Sequence, residues 1–359
     1  MARRAQAAIS AAALAHNVAR LRRAAAPQVQ LCAVVKADGY GHGATLAAQT
    51  ALRSGADWLA VATAEEAAAL RAAGLRDARL LVLGALSAEE LVVALQADAD
   101  VVIWREEVLD RLPAGARVHV KLDTGMGRLG TRDPDEATRV AESAARSGRL
   151  AGLMTHFATA DDLADGFLEQ QLARFTAWMT PLRERHPHAV VHAANSAATL
   201  REPAAHFDLV RPGVALYGLD PYGVDPARQD LLPALRLTSY VAEVKACRAG
   251  ESAGYGRRFV ADRDTVLATV PIGYGDGWRR GLTNDADGVI RGRRFPLVGT
   301  VSMDNVTFDL GPDGGGVQRG DEVVLLGDGI TAEEVARRLG TINYEVTCGL
   351  TARVPRVAT

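Results

Sequence analysis

Lys36 stands where lysine chemistry is available. An apolar run over 31–35 reads as a buried strand, and it ends abruptly in Lys36-Ala-Asp-Gly-Tyr40-Gly-His-Gly43. Burial disfavours an ammonium ion and lowers its pKa. The neutral amine attacks carbonyls and forms Schiff bases. The glycines that follow let the chain turn sharply and let a bound group come close. A lysine that snorkels to water from a strand end is the alternative, and this stretch alone suits both. Two other segments bear on the choice. Asn195-Ser196 offers a hydroxyl and Gly213-Val214 an unshielded backbone N–H, donors that a phosphate needs. Ser196 equally suits a helix cap before 197–200. A Schiff-base lysine plus a phosphate cradle on other loops points to pyridoxal phosphate. Arg211 lies beside Pro212-Gly213. Decarboxylases and transaminases set an acidic group against the cofactor's pyridine nitrogen, which makes the ring a full electron sink. An arginine there keeps its proton, so the nitrogen stays an acceptor and the sink is limited. A structural ion pair is the alternative for Arg211.

These residues need a frame that brings them to one place. Ser10 reads as a helix N-cap, with Ile9 and Leu14 placed as a hydrophobic staple and Leu14, Val18 and Leu21 on one face. After Pro27, short apolar runs alternate with amphipathic, alanine-rich helices. The runs fall at 31–35, 58–62, 80–83, 101–103, 118–122, 150–155, 189–192 and 207–210. Alternating strand and helix implies a parallel sheet with right-handed crossovers. Eight such units predict a (β/α)8 TIM-type barrel, and no Gly-x-Gly-x-x-Gly follows the first strand as an open dinucleotide-binding sheet would ask. In a barrel, chemistry sits where strands end. Lys36, then Lys121, Asp123 and Arg128, then Thr155 and His156, then Asn195 and Ser196, then Arg211 and Gly213 all fall at such ends. After about residue 232 the texture changes to Val/Thr-rich runs at 235–246, 265–271, 295–301, 306–310 and 321–326, broken by glycine and proline. This predicts a mostly β C-terminal domain over 233–359, following a barrel over 1–232 whose residues 1–9 pair with it. Thr331 caps a helix over 331–339, with Glu334 as its capping-box partner.

Composition narrows the field. A formal net charge of -2 gives no electrostatic case for nucleic acid or an anionic membrane. Cys32, Cys247 and Cys348 match no metal spacing and no disulfide framework, which fits a reducing cytoplasm. No metal is expected. No apolar run spans a membrane. The start, Met-Ala-Arg-Arg and alanines, imitates a signal peptide, but His16, Asn17 and Arg20 break the apolar run.

The chain resembles the alanine racemase family, fold-type III pyridoxal phosphate enzymes. The resemblance rests on Ala33-Val-Val-Lys36-Ala-Asp-Gly-Tyr40-Gly-His-Gly, Lys121-Leu-Asp-Thr-Gly-Met-Gly-Arg128, Thr155-His156-Phe-Ala158, His192-Ala-Ala-Asn195-Ser196, Arg211-Pro-Gly-Val-Ala-Leu-Tyr-Gly218, Ile272-Gly-Tyr274-Gly-Asp-Gly and Ile342-Asn-Tyr344-Glu-Val. It implies that Lys36 carries the cofactor aldimine and serves as one acid/base. Tyr255, in Ala253-Gly-Tyr255-Gly, is then the other base, and His156, tied to Arg211, favours its phenolate. Tyr40, Ser196, Gly213, Val214 and Tyr344 hold the phosphate. Arg128 meets the cofactor's phenolic oxygen and the substrate carboxylate, and Lys121 is carbamylated and steers Arg128. The alternative for Lys121 is an unmodified salt bridge to Asp123 or exposure to solvent. Met303, Asp304 and Tyr274 line the substrate pocket, and Asp161, Arg280 and Ile342 its entrance. Departures from the family are Gly254 before Tyr255, Ser302 where cysteine is common, Thr300 where an arginine is common, and a C-terminus without an aromatic.

The resemblance further implies a reaction, a partner and a place. L-Alanine and D-alanine interconvert by two-base proton transfer, supplying D-alanine for peptidoglycan in the cytoplasm. Two bases on opposite faces spare either from moving around the substrate. The expected unit is a homodimer in which one chain's C-terminal domain caps its partner's barrel. A non-catalytic pyridoxal phosphate carrier would lack the β domain and second base. A decarboxylase would carry an acid in place of Arg211.

Overall fold

The computed structural model describes residues 4–359. Methionine 1 and the two residues after it, at the head of the signal-like stretch and of the expected 1–9 pairing, lie outside the described residues. Two compact units emerge, each described by itself. One holds residues 14–216 and 227–231; the other holds residues 4–13, 217–226 and 232–359.

The first unit is the predicted barrel. Its strands are β2 (Gln30–Val34), β3 (Trp58–Val61), β4 (Arg79–Val82), β5 (Ala99–Ile103), β6 (Val118–Lys121), β7 (Leu150–Met154), β8 (Val190–His192) and β9 (Leu209–Val210), counted after β1 (Ala5–Ile9). All eight are parallel, and β9 closes on β2 by pairing Gln30 with Leu209 and Leu31 with Val210. Such strands are covered on both faces, inside by barrel side chains and outside by helices, so their residues are contiguous apolar runs. Leu31, Leu59, Leu80 and Leu81 are wholly buried. Alanine at the inner faces of the helices, as at Ala67, Ala141 and Ala144, brings helix and strand close. Thr63 and Ser87 start two of these helices with full capping boxes, completed by Glu66 and Glu90.

The second unit is built on a nine-stranded sheet among the described residues. Its order is Glu243–Cys247, Thr265–Val270, Val306–Asp309, Arg293–Val298, Asp287–Ile290, Glu322–Leu326, Leu235–Tyr240, β1 and Arg356–Ala358. β1 alternates buried and half-buried residues, and it pairs antiparallel to Leu235–Tyr240 and parallel to Arg356–Ala358. Ser10 then caps the helix Ala11–Ala24, its Oγ accepting from the Ala13 N–H at 3.1 Å.

Three expectations change here. A cut at 232/233 does not separate the units, because residues 217–226 fold with the C-terminal sheet. The Tyr217 carbonyl accepts from Ala234 N–H, and Asp220 N–H and Asn343 Nδ2 both donate to the buried Glu333 carboxylate. The run 235–246 is two strands with different neighbours, broken between Tyr240 and Glu243. Thr331 caps Ala332–Leu339 as expected, but the Glu334 carboxylate is held by Arg294 and Arg338 and leaves the cap amide unserved.

Candidate active site

The barrel collects its share of the predicted site residues at the carboxyl ends of its strands. Lys36 follows β2 and opens a tight turn in which Ala37, Asp38, Gly39 and Tyr40 all have φ between 52° and 61°. Each non-glycine residue in that left-handed region costs about 1–2 kcal/mol. The strain is held from two sides. Asp38 Oδ1 accepts from Ala44 N–H at 2.9 Å, and Glu66 Oε1 accepts from Ala37 N–H at 2.6 Å. The other Glu66 oxygen takes the amides of Ala62 and Thr63 after β3, so one carboxylate ties two strand ends together. The turn buries Tyr40 and aims its hydroxyl at Gly213, where a Cβ would collide with it. Ser196 Oγ lies in the same place and accepts from Gly213 N–H at 2.9 Å and Ala215 N–H at 3.2 Å. Asn195, not Ser196, is the cap of Ser196–Arg201, with its side chain on Ala198 N–H. The cap alternative therefore fails for Ser196, whose hydroxyl gathers loop amides instead. Val214 is buried beside it.

Arg211 follows β9 and is buried. Its Nη1 donates to His192 Nδ1 at 2.7 Å; its Nη2 donates to the carbonyls of Thr155 and Ala193 and reaches His156 Nδ1 at 3.3 Å. It makes no ion pair with a carboxylate among the described residues, which removes the structural ion-pair alternative. Burial lowers it to about 10, so it stays charged at neutral pH. Desolvation, then the cations of Arg211, Lys121, Arg128 and Lys36, hold His156 well below the usual histidine range. His156 is therefore neutral.

Lys121 ends β6, is buried, and is lowered to about 8 by burial and by Arg211 and Arg128, against the opposing pull of Asp123. The Asp123 oxygens serve the amides of Gly125 and Gly127 and the Arg132 guanidinium, which overturns both the salt-bridge and the solvent alternatives for Lys121. Arg128 stands exposed on the rim. Sequence reasoning missed Gln171, whose pattern on a helix face gave no signal. It is wholly buried, donates to Thr124 Oγ1 and the His156 carbonyl, and accepts from Ala158 N–H, so it fixes the loops after β6 and β7.

The C-terminal unit carries the other predicted residues. Tyr255 lies 76% exposed on a short turn after Gly254, whose φ is 73°. Thr300, noted as a departure, donates to the Tyr255 carbonyl at 2.7 Å and pins that turn. Tyr274 and Met303 are exposed on neighbouring loops joined by Tyr274 N–H to the Ser302 carbonyl and Gly275 N–H to that of Met303. Asp304 pairs with Arg353 at 2.7 Å. Tyr344 is half-buried on the helix Asn343–Cys348, next to exposed Ile342. Asp161, in the barrel unit, and Arg280 are exposed. Among the described residues, no cluster of metal ligands occurs and no helix is long and apolar enough to cross a membrane.

Known proteins sharpen this picture. Residues 9–221 match the family "Alanine racemase, N-terminal domain", and residues 234–358 match "Alanine racemase, C-terminal domain". An alanine racemase of Mycobacterium tuberculosis is 44% identical over 370 residues, covering 98% of this chain and 95% of the relative. One from Listeria innocua is 40% identical, covering 97% and 96%. Among solved structures, alanine racemase from Streptomyces lavendulae superposes with a TM-score of 0.92 at 37% identity, covering 99% of this chain and 97% of that one. The Bacillus anthracis alanine racemase with bound L-Ala-P does so at 0.90 and 35%, covering 100% and 96%.

Proposed function

The chain belongs to the alanine racemase family, and from that premise we propose how it racemises alanine: with pyridoxal phosphate joined to Lys36, and with Lys36 and Tyr255 as the two acid/bases. The residues present fit the cofactor. Tyr40, Ser196 and the Gly213 and Val214 amides would hold its phosphate, in a cradle that a Cβ at Gly213 would fill. Tyr344 would complete that set. When bound, the cofactor supplies an electron sink that acidifies the substrate α-carbon.

The single observation that carries the reading is buried, charged Arg211 among imidazoles and carbonyls with no carboxylate. Such a donor limits the sink, which favours returning the proton over transamination or loss of CO2. Neutral His156 accepts from Arg211 at Nδ1 and so would keep an Nε2–H with which to stabilise a Tyr255 phenolate. Tyr255 takes or gives the proton on the face opposite Lys36. Lys121, with its lowered pKa, offers the neutral amine that CO2 carbamylates, and the resulting anion steers Arg128 onto the substrate carboxylate. Met303, Asp304 and Tyr274 line the alanine pocket.

Tyr255, Tyr274, Met303 and Ile342 are all exposed on one unit. Tyr274 and Met303 stand on loops joined by backbone hydrogen bonds, and exposed aromatic and apolar groups that gather in one patch mark a binding face. We assign it to the barrel mouth of a second copy, giving a homodimer with shared sites. A cytoplasmic role in supplying D-alanine to peptidoglycan suits three cysteines that form no disulfide among the described residues. The test joins two measurements. Borohydride should fix the cofactor on the Lys36 peptide, and L-alanine should lose optical rotation without releasing CO2. Label on another lysine, or CO2 release, refutes the reading.

A further inference from the structure

Asp100 lies far from the rim, at the second residue of β5, yet the line of hydrogen bonds that begins at Arg211 ends on it. Arg211 Nη1 meets His192 Nδ1 at 2.7 Å, His192 Nε2 meets His119 Nδ1 at 2.7 Å, and His119 Nε2 meets Asp100 Oδ2 at 3.0 Å. His192 ends β8, whereas His119 is the second residue of β6. The line therefore descends through the barrel from the carboxyl pole to the amino pole. Asp100, His119 and His192 are wholly buried.

The chemistry of the ends sets every proton between them. A guanidinium only donates and a carboxylate only accepts. His192 Nδ1 therefore accepts, and its proton sits on Nε2. His119 Nδ1 must then accept from it, and the His119 proton also sits on Nε2, facing Asp100. Both imidazoles are neutral, and all three bonds point the same way. Burial, ahead of every other influence, lowers both histidines, in agreement. Asp100 stays ionised at about 2 although burial opposes it, because His119, Arg117 and Arg79 all attend it. The arrangement is closely built. A Cβ on Gly152 would collide with His119 Nδ1, and Trp58 packs edge-on to the His119 ring at 5.7 Å.

We propose that Asp100, His119 and His192 are positioning residues that set the proton-donating strength of Arg211 toward the cofactor's ring nitrogen. The inference rests on the reading of Arg211 given above. Aligned hydrogen bonds polarise one another. The Asp100 charge makes His119, and through it His192, a better acceptor. Arg211 then keeps its charge without a touching carboxylate, and its remaining N–H groups stay weak acids. Losing the Asp100 charge sharpens those donors and opens the electron sink to transamination. A purely structural aspartate, pairing Arg79 and Arg117 at the barrel floor, would do neither.

The test uses the full-length holoenzyme labelled with 15N-histidine. His119→Gln and His192→Gln each remove one set of imidazole signals and so assign them. Wild type should show both residues neutral with the proton on Nε2, unchanged from about pH 6 to about pH 9. A proton on Nδ1 of either, or a charged ring, overturns the proposal without touching the racemase reading. Asp100→Asn should move the His192 Nδ1 resonance, although His192 does not contact Asp100, and raise the ratio of transamination to racemisation severalfold. His119→Phe, which leaves Asp100 with Arg79 and Arg117, should raise that ratio likewise and covers the case of Asp100→Asn failing to fold. A folded His119→Phe enzyme with the wild-type ratio refutes the proposal. Absence of racemisation in wild type instead refutes the function, whatever the tautomers.

Discussion

Lys121 shows how burial and neighbouring cations together lower a lysine's pKa. Its pKa falls from 10.5 to about 8, first because burial penalises the ammonium ion and then because Arg211 and Arg128 repel it. Between those pH values the unfolded chain holds a proton that the folded chain has shed. Stability therefore rises with pH across that window, by at most about 3 kcal/mol. Urea unfolding of wild type and Lys121→Met in CO2-free buffer should show wild type gaining on the variant from about pH 8 to about pH 10. Parallel curves would mean that Lys121 is not perturbed. Bicarbonate should flatten the difference, because a carbamate no longer titrates as an amine.

At the scale of the element, the turn after β2 is strained and the loops around it hold it. Glu66 accepts three amides across two strand ends. Glu66→Gln turns one acceptor into a donor facing those amides, which should cost about 2–3 kcal/mol by denaturant unfolding and loosen the Lys36 turn. If the turn needs Glu66, cofactor affinity of the apoprotein drops alongside stability; an unchanged affinity would show that Asp38 holds the turn alone. Gly213→Ala tests the other side of the cradle. Its methyl group must displace the Tyr40 hydroxyl. Losing one charged hydrogen bond of about 1.5–3 kcal/mol predicts pyridoxal phosphate binding weaker by roughly ten- to a hundredfold, read by absorbance titration. Binding within a factor of about two of wild type would remove Tyr40 from the phosphate site.

For the whole molecule, the proposal to test is that Lys36 on the barrel and Tyr255 on the other unit serve one reaction. Under the shared-site reading, a two-fold dimer holds two equal sites, each drawing one residue from each chain. Lys36→Ala and Tyr255→Phe should each be nearly inactive. Refolded together, about half the dimers are mixed, and each mixed dimer holds one intact site. Roughly a quarter of wild-type activity should return if the sites act independently. A mixture that stays inactive, with exchange confirmed by differently tagged chains, places both residues in one chain.

The barrel was legible in the amino-acid sequence because strands covered on both faces must be contiguous apolar runs, and the polar residue ending each run lands on one rim. Lys36, His156, Ser196 and Arg211 were found in that way. Residues 1–9 were expected to pair with the C-terminal domain and β1 does so, but local pattern did not name its partner strands, Leu235–Tyr240 and Arg356–Ala358, since alternating small residues satisfy many partners. Nor did it place residues 217–226, whose neighbours are Ala234, Glu333 and Asn343. The glycines announced a turn after Lys36, but three non-glycine residues in left-handed conformation became possible only once Glu66 and Ala44 held them. The line from Arg211 to Asp100 was hidden most completely. His119 and His192 are 73 residues apart, and only the register of the closed barrel puts one imidazole nitrogen 2.7 Å from the other. Sequence alone sets which residues are apolar and which titrate; the tertiary structure decided which of the titrating ones meet, because a hydrogen bond demands atoms placed to within a few tenths of an ångström.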